Sequence, residues 1–379
     1  MHRKNIYVIG DGPAGSATAL SLAKRLSSET NTNRDFSIVQ VSATTKAGHY
    51  IGETVPPAAN EYLQELGLGG CLNDQDHVLC PGSISVWGDD KPGYNDFFYT
   101  PVGNGFHLNR KLFNQQLYGA AHAAGVTQLG DTKLTGVVEE KAGLQLQLFD
   151  QKSKKTSTVA ADFIVDATGI RASAARSLNV ARNQFDSVIS VGAVFSLPEP
   201  SSKPAYTLVS ASEYGWWYGT QLPNQNALIS FCTDSQNLKE LKLTKPEIWH
   251  AMLEQNSWFY KQCVQQFGTP IPQPEELFKR AAPSAILSNV AGQRWLAVGD
   301  AAASYDSMTS AGITKALQQG ILASKAISKC LLQQDALACK QYAQSVFADF
   351  NQYLQLHQQF YSSEQRFATS GFWRRRQLH

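Results

Sequence analysis

The segment Ile6-Tyr7-Val8-Ile9-Gly10-Asp11-Gly12-Pro13-Ala14-Gly15 joins a short apolar run to the pattern Gly-x-Gly-x-x-Gly. The run is typical of a buried parallel strand, and the small residues after it predict a helix from Pro13 to Leu26. Residues 36–41 predict a second strand after a polar loop. This β-α-β order is the unit that binds a dinucleotide in Rossmann folds.

The glycine loop has a separate task for each glycine. Gly10 permits the tight turn, Gly12 lets backbone N–H groups approach a pyrophosphate, and Gly15 lets the helix pack close to the strand. With Pro13 and Ala14, these residues are the predicted pyrophosphate cradle.

The second strand lacks the acidic residue that usually ends it and binds the ribose hydroxyls. Gln40 and Ser42 occupy that neighbourhood and offer only neutral hydrogen bonds, which are about half as strong as charged ones. The sequence therefore predicts cofactor binding through Gln40 and Ser42, with a weaker hold on the adenosine half.

Two further apolar strands each end in an aspartate, within Phe163-Ile164-Val165-Asp166-Ala167-Thr168-Gly169 and Trp295-Leu296-Ala297-Val298-Gly299-Asp300-Ala301-Ala302. A carboxylate at the carboxyl end of a strand can accept hydrogen bonds from sugar-type hydroxyls, such as those of a ribityl chain. The helix start near Ala311 and Gly312 can stabilise negative charge on a reduced flavin. The three motifs together predict FAD.

Composition excludes several classes of protein. The 379 residues are 43% hydrophobic and 17% charged with a net charge of +2, which favours a globular protein and gives no support for nucleic-acid binding. The six cysteines lie far apart with no Cys-x-x-Cys pair, so neither a metal site nor a disulfide framework is expected. Apolar stretches are too short for a membrane span, and Gly10 interrupts any signal-peptide core. We expect a cytoplasmic protein.

The order of elements predicts an α/β fold of the glutathione-reductase type, in which an antiparallel substrate sheet is inserted into a Rossmann FAD domain and a helical segment follows. A strand-rich block covers residues 188–233, and helices predominate from Gly312 onward. The expected FAD domain comprises residues 1–80, 107–185 and 283–330. The expected substrate domain comprises 81–106 and 186–282, and the C-terminal segment 331–379.

The three motifs, in this order, resemble those of the FAD-dependent monooxygenase superfamily, which includes aromatic hydroxylases and tryptophan halogenases. The resemblance covers roughly residues 4–320. It implies that Asp300 binds the ribityl or pyrophosphate region, that residues 166–169 line the adenosine side, and that Arg110 reaches the FAD; a surface role for Arg110 is the alternative. The expected FAD-binding set is completed by Asp166, Ala167, Gly169, Leu134, Gly299, Ala301, Ala311 and Gly312. The chain departs from the superfamily pattern at Ser307, where proline is usual, and at Ser310, where glycine is usual.

Two segments resemble the halogenase-like branch of that superfamily, Ile51-Gly52-Glu53-Thr54-Val55-Pro56-Pro57 and Gly215-Trp216-Trp217-Tyr218-Gly219-Thr220-Gln221-Leu222-Pro223. Halogenases of this branch carry an active-site lysine about 25 residues after the Gly-Glu segment. No lysine occurs between Asn60 and Asp90, so halogenation is not expected.

The closer resemblance is to the flavoproteins that mature tryptophylquinone enzymes, the partners of lysine ε-oxidase and of quinone-containing glycine oxidase; the ending Gly371-Phe372-Trp373-Arg374-Arg375 supports it. It implies a monooxygenase that uses O₂ and an external reductant to oxygenate a tryptophan in a protein partner, the precursor of a quinone-cofactor oxidase. Three alternatives stay open: a small-molecule aromatic hydroxylase, a flavin reductase or dehydrogenase, and a flavin-stabilised chaperone without catalysis.

The candidate catalytic residues are Glu53, Trp216 and Tyr218. Strand alternation sends Trp216 and Tyr218 to one face and Trp217 to the other, so one of these faces must be core. Glu53 is either a helix-start carboxylate or a gate between flavin and substrate. For residues 374–376, an exposed solvated end and a docking site for an acidic partner both stay open.

Overall fold

The computed structural model describes residues 3–29, 35–43, 54–73, 75–140, 143–199 and 203–377. Glu53 and the preceding residues of its motif lie outside these described residues.

The strands are β1 Lys4–Ile9, β2 Phe36–Val41, β3 Thr54–Val55, β4 Val78–Cys80, β5 Gly82–Val86, β6 Gly93–Asp96, β7 Gly105–His107, β8 Thr127–Leu129, β9 Thr132–Glu140, β10 Gly143–Asp150, β11 Thr156–Ala161, β12 Phe163–Asp166, β13 Arg182–Ser196, β14 Thr207–Ser212, β15 Gly215–Leu222, β16 Asn226–Thr233, β17 Phe278–Leu287, β18 Trp295–Ala297 and β19 Ala303–Ser304. The helices are α1 Pro13–Glu29, α2 Ala59–Glu65, α3 Arg110–Ala123, α4 Ser173–Ser177, α5 Ser235–Glu240, α6 Pro246–Gln255, α7 Ser257–Phe267, α8 Gly312–Leu332, α9 Ala338–Ser363 and α10 Gly371–Gln377. Short 3₁₀ turns cover Phe97–Tyr99, Gly169–Arg171, Gly299–Ala301 and Ser307–Thr309.

A five-stranded parallel sheet in the order β18-β12-β1-β2-β8 forms the dinucleotide-binding core. Its central strand is apolar on both faces because helices cover both, and Ile6 and Val8 are fully buried. Helices α1 and α8 pack closely, since a Cβ atom at Gly320 would lie only 2.8 Å from the Cβ of Ala17. The carboxyl ends of β1, β12 and β18 therefore meet at one edge, where ligands bind in open α/β sheets.

An eight-stranded mixed sheet in the order β19-β17-β13-β16-β15-β14-β5-β6 forms the second layer. Strands β14 and β5 pair in parallel, whereas β13, β15 and β16 pair antiparallel. Helices α6 and α7 cover one face and enclose Trp217, Phe231, Trp249 and Phe259. These two helices, between α5 and β17, were not predicted from the sequence, although Pro246 at the start of α6 and the Asn256 cap of α7 mark where they begin.

The predicted mixed α/β fold, with a parallel Rossmann core, largely antiparallel strands beyond it and C-terminal helices, is confirmed. Strands β11-β10-β9 form a three-stranded antiparallel sheet, and a small sheet β3-β7-β4 lies beside β15. Helices α9 and α10 return across the molecule, so that Phe372 and Trp373 are fully buried against the large sheet. Across the described ranges, no helix combines the length and apolarity that crossing a bilayer requires.

Candidate active site

The glycine loop between β1 and α1 is shaped by close backbone contacts. A Cβ atom at Gly10 would lie 2.2 Å from the carbonyl oxygen of Ala167, and one at Gly15 would lie 2.2 Å from that of Gly10. Gly10 also has φ +127°, a conformation that favours glycine. At Gly12 no atom lies within 4 Å of the Cβ position, and this residue lines the cavity with Pro13 and Ala14. The loop thus leaves room for a pyrophosphate at the start of α1.

Gln40 does not face a ribose, contrary to the sequence prediction. Its side chain is fully buried, and its amide donates hydrogen bonds to the carbonyl oxygen of Gly10 and to Ser16 Oγ, each at 3.0 Å. It therefore fixes the glycine loop from beneath. Ser42 is also buried, and its hydroxyl lies 3.4 Å from that of Tyr118.

Asp166 shapes the loop after β12 and does not present its carboxylate to a ligand, which corrects the sequence prediction. One oxygen accepts hydrogen bonds from the backbone N–H and the hydroxyl of Thr168, and the other from the N–H of Ala175. The residue is fully buried, and burial raises the pKa of its carboxyl group against the effect of these bonds. Ala167 and Gly169 on the same loop do line the cavity.

Asp300 faces the cavity from the turn after β18, as the resemblance implies. Its carboxylate pairs with Lys315 Nζ at 2.8 Å. Lys315 also donates to the carbonyl oxygen of Ala303 and lies 4.1 Å from the centre of the Tyr305 ring. Sequence analysis missed Lys315 because a helical lysine is usually solvated, and its pattern carries no sign of burial.

The loop from Tyr305 to Ala311 closes the cavity beside α8. Asp306 accepts a hydrogen bond from the N–H of Met308 and so caps the turn that proline would otherwise fix. Ser310 has φ +49°, the left-handed conformation for which glycine is usual at this point of the superfamily pattern. Ala311 and Gly312 line the cavity and lie at the N-terminus of α8.

The cavity has a volume of about 440 Å³ and lies between the edge of the parallel sheet and the open face of the large sheet. Its substrate-side wall consists of small or apolar groups with hydroxyls between them, contributed by Ser190, Tyr218, Leu228, Ser230, Cys232, Ala281 and Ala282. Among the lining residues that the structure describes, the cationic ones are Arg110 and Arg280. Arg110 stands at the first position of α3, and the side chain of Asn109 caps the helix by accepting from the N–H of Leu112.

Of the other residues predicted to bind the cofactor, Leu134, Gly299 and Ala301 are buried, and none is among the described residues of the cavity wall. Leu134 packs in the core from β9. Gly299 has φ +61°, and a Cβ atom there would lie 2.7 Å from the Cβ of Ala14, so glycine brings the turn of Asp300 against the start of α1.

Tyr218 reaches the cavity from β15 and belongs to a chain of hydrogen bonds. Its hydroxyl lies 2.7 Å from that of Thr54, which lies 2.9 Å from His107 Nδ1. His107 Nε2 lies 2.9 Å from the carbonyl oxygen of Ala205. Burial lowers the pKa of His107 to about 4, so the imidazole is neutral. His107 is thus a structural residue in this series of hydrogen bonds.

Trp216 is a core residue, and its predicted catalytic role is corrected. Alternation does send it to the same face as Tyr218, but α9 and α10 cover that part of the face. The residue is fully buried, and its Nε1–H donates to the hydroxyl of Tyr361 at 3.0 Å. Trp217 packs on the opposite face, 5.2 Å from Trp249 between ring centres.

Within the basic end, residues 374–376, Arg376 is buried, whereas Arg374 and Arg375 are exposed. Arg376 is 5% exposed and makes a bidentate pair with Asp186, with both N–O distances 2.7 Å. Arg375 pairs with Asp234 at 2.5 Å. Arg374 is exposed.

A buried ionic cluster that sequence analysis did not find lies behind the cavity loop. His357 Nε2 lies 3.5 Å from Asp306 and 3.6 Å from Asp186, and Tyr361 donates to Asp306 at 2.6 Å. Asp186, Asp306 and His357 could also hold a metal ion by distance. Because Arg376, Tyr361 and His357 already satisfy both carboxylates, the cluster is an ion-pair network that joins α9 and α10 to the loop.

The geometry fits an adenine-dinucleotide flavin: an open glycine loop at a helix start, a carboxylate in the cavity wall at Asp300, and a cavity beyond it. Comparisons with known proteins agree. A family model described as tryptophan halogenase matches residues 91–243. The putative FAD-dependent oxidoreductase LodB of Marinomonas mediterranea is 28% identical over 99% of this chain and 97% of its own.

Solved structures show the same fold. The myxobacterial chondrochloren halogenase CndH superimposes with a TM-score of 0.83 at 20% identity, over 100% of this chain and 87% of that chain. QhpG, described as a peptidyl tryptophan dihydroxylase essential for tryptophylquinone cofactor biogenesis, superimposes with a TM-score of 0.76 at 22% identity, over 100% of this chain and 79% of that chain. The chain is an FAD-dependent oxidoreductase that is similar to the tryptophan-halogenase-like branch of the FAD-dependent monooxygenase superfamily.

Proposed function

We propose that this flavoprotein oxygenates a tryptophan side chain of a partner protein in the cytoplasm, as a step in building a tryptophylquinone cofactor. The similarity in fold to QhpG over the whole of this chain supports the proposal, because that protein is described as acting on peptidyl tryptophan. Within this protein, the proposal rests on the direction of the hydrogen bond between Tyr218 and Thr54.

The direction of these hydrogen bonds follows from the acceptor at the far end of the series, the carbonyl oxygen of Ala205. The carbonyl oxygen of Ala205 and the hydroxyl of Thr220 each lie 2.9 Å from His107 Nε2. The carbonyl can only accept, so the neutral His107 carries its proton on Nε2, and its Nδ1 accepts from Thr54. Because the Thr54 hydroxyl donates its one proton to His107, the Tyr218 hydroxyl must donate to Thr54. The phenol oxygen of Tyr218 therefore meets a substrate as an acceptor, which matches the N–H of an indole, a group that only donates.

The other parts of the site have separate roles in the proposed reaction. Bound FAD supplies the activation of O₂ after an external reductant has reduced it. Asp300, supported by Lys315, would hold the ribityl side of the bound flavin, and the N-terminus of α8 would favour negative charge on its reduced ring. The apolar wall with Leu228 and Ala282 excludes water and receives the aromatic ring.

Oxygenation is favoured over halogenation by the missing lysine. Residues 60–90 contain none, and the described cations of the cavity wall are arginines. Lys315 is committed to Asp300 and Ala303. No described group in the wall offers the free amine that a halogenase of this branch uses.

Co-expression with a candidate precursor of a quinone-cofactor oxidase tests the proposal. Mass spectrometry should find one or two oxygen atoms added to a precursor tryptophan, labelled when ¹⁸O₂ is supplied. Tyr218→Phe should reduce this gain about tenfold or more, since an unsatisfied indole N–H costs roughly 1–3 kcal/mol. Tyr260→Phe, on α7 at the far face of the sheet, should leave it unchanged.

Each other outcome identifies a different protein. Hydroxylation of free tryptophan without change in any precursor would indicate a small-molecule hydroxylase. Chlorinated or brominated tryptophan in the presence of halide would indicate a halogenase. Precursor maturation that persists when the flavin cannot be reduced would indicate a chaperone.

A further inference from the structure

Two cysteines meet at the turn between α8 and α9. Cys330 lies in the last turn of α8 and Cys339 at the second residue of α9, and their Sγ atoms are 3.1 Å apart. Five residues, 333–337, connect the helices. All six cysteines lie in the described part of the chain as free thiols, and this is the pair among them that is in sulfur contact.

The two thiols differ in their surroundings. Cys330 is partly exposed, and its thiol points at the carbonyl oxygen of Asp335 at 3.2 Å. Cys339 is 6% exposed, and burial, together with Cys330 and Asp335, raises the pKa of its thiol. An oxidant from solvent therefore reaches Cys330 first, and Cys339 is the thiol placed to complete the reaction.

We propose that Cys330 and Cys339 form an oxidation-sensitive dithiol, which hydrogen peroxide converts to an intrachain disulfide. The Cys330 sulfur attacks one peroxide oxygen, the O–O bond breaks, and a sulfenic acid and water form. The Cys339 sulfur then displaces that oxygen as a second water, so the S–S bond replaces the S–O bond. Two thiols and one peroxide yield one disulfide and two waters.

The position of the pair gives the disulfide a structural consequence. Helix α8 begins at Gly312 on the cavity wall, and α9 carries Tyr353, whose hydroxyl accepts from the N–H of Asp306 at 2.8 Å. A covalent bond across the turn ties the two helices together where they are otherwise held by packing. Oxidation therefore stabilises the helical layer behind the cavity loop, mainly by restricting the unfolded chain.

The experiment uses the full-length holoprotein and follows thiols only, so it does not depend on the proposed function. After treatment with dilute hydrogen peroxide, alkylation and peptide mapping should find Cys330 joined to Cys339. The denatured protein should then show four free thiols, whereas the reduced protein has six. Thermal unfolding should shift upward by a few degrees and return after treatment with dithiothreitol.

Variants complete the test. Cys330→Ser and Cys339→Ser should each abolish the disulfide and the thermal shift. Cys71→Ser is the matched control, because the Cys71 thiol donates to Gln116 at 3.2 Å and a serine hydroxyl can do the same. This variant should keep both the disulfide and the thermal shift. The proposal is overturned if wild-type protein retains six thiols under peroxide that oxidises free dithiothreitol, or if Cys330 stops at sulfenic or sulfinic acid.

Discussion

Lys315 Nζ lies 2.8 Å from Asp300 Oδ1, and the two side chains face opposite environments: that of Lys315 is 4% exposed and that of Asp300 is 47% exposed. Asp300 therefore presents its carboxylate to the cavity, while Lys315 balances the charge from beneath. This matters for a cofactor with a charged pyrophosphate, because an unbalanced carboxylate nearby would repel it. We propose that the pair supports cofactor binding, with Asp300 in the cavity wall and Lys315 one layer beneath it.

Lys315→Met should weaken FAD binding about tenfold, because Asp300 would lose the cation that holds its carboxylate in place. The dissociation constant can be measured by flavin fluorescence as apoprotein is titrated with FAD. Lys325 lies on the same helix as Lys315 and makes an exposed ion pair with Glu65 of α2, so Lys325→Met should bind FAD as wild type does. Equal affinity for Lys315→Met and wild type would show that the pair has no part in holding the cofactor.

The sequence predicted the glycine loop but not Lys315, because the loop depends on residues close together in the sequence and Lys315 depends on tertiary contacts. Gly10, Gly12 and Gly15 act within a single turn, so their spacing carries their meaning. Lys315 acquires its role only when the start of α8 folds against the turn of Asp300 and the ring of Tyr305. No local pattern distinguishes it from a solvated helical lysine.

Gly15→Ala and Gly12→Ala should fail in different ways. A Cβ atom at position 15 meets the carbonyl oxygen of Gly10 at 2.2 Å, so Gly15→Ala should lower the thermal midpoint and the yield of folded protein. A Cβ atom at position 12 meets nothing within 4 Å, so Gly12→Ala should fold normally. It should nevertheless bind FAD weakly, since the methyl group occupies space that the pyrophosphate needs.

Circular dichroism, thermal unfolding and flavin content of the purified variants separate these effects. A Gly12→Ala protein with full flavin content would mean that the pyrophosphate lies elsewhere along the loop. A Gly15→Ala protein of normal stability would mean that the backbone can shift to admit the methyl group.

The C-terminal segment shows where local reasoning reaches its limit. Arg376 contacts Asp186, which is 190 residues away, and Trp216 contacts Tyr361, which is 145 residues away. Strand alternation correctly separated Trp216 from Trp217. It could not tell that α9 and α10 fold over the face of Trp216 while Tyr218 reaches the cavity.

Arg376→Met should destabilise the protein by about 3–5 kcal/mol, because Asp186 and Asp234 would be left with buried charge and a missing partner. Urea unfolding followed by tryptophan fluorescence measures this, since Trp216 and Trp373 lie beside the network. Arg374→Met is the matched control: that side chain is exposed and should change the free energy of unfolding by less than about 0.5 kcal/mol. Similar effects of the two substitutions would contradict the buried pairing.

The stability of this protein should depend on pH through His357. Burial by itself lowers the pKa of this imidazole, but the carboxylates of Asp186 and Asp306, 3.6 and 3.5 Å from Nε2, outweigh burial and raise the pKa to about 9. Arg376 and the hydroxyls of Tyr353 and Tyr361 face the same cluster. With His357 protonated, the positive charges of Arg375, Arg376 and His357 match the negative charges of Asp186, Asp234 and Asp306.

Because the folded pKa of His357 lies above the unfolded value of about 6.5, the folded protein holds this proton more tightly. Its stabilisation is complete below pH about 6.5 and is lost as the pH rises toward 9, with a size on the order of 3 kcal/mol. His357→Gln should therefore be much less stable than wild type at pH 6, and the two should converge near pH 9. Thermal unfolding across this range measures the difference, with His122→Gln, an exposed histidine on α3, expected to follow wild type throughout. A gap between wild type and His357→Gln that stays constant with pH would mean that packing, and not the proton, accounts for the contribution of His357.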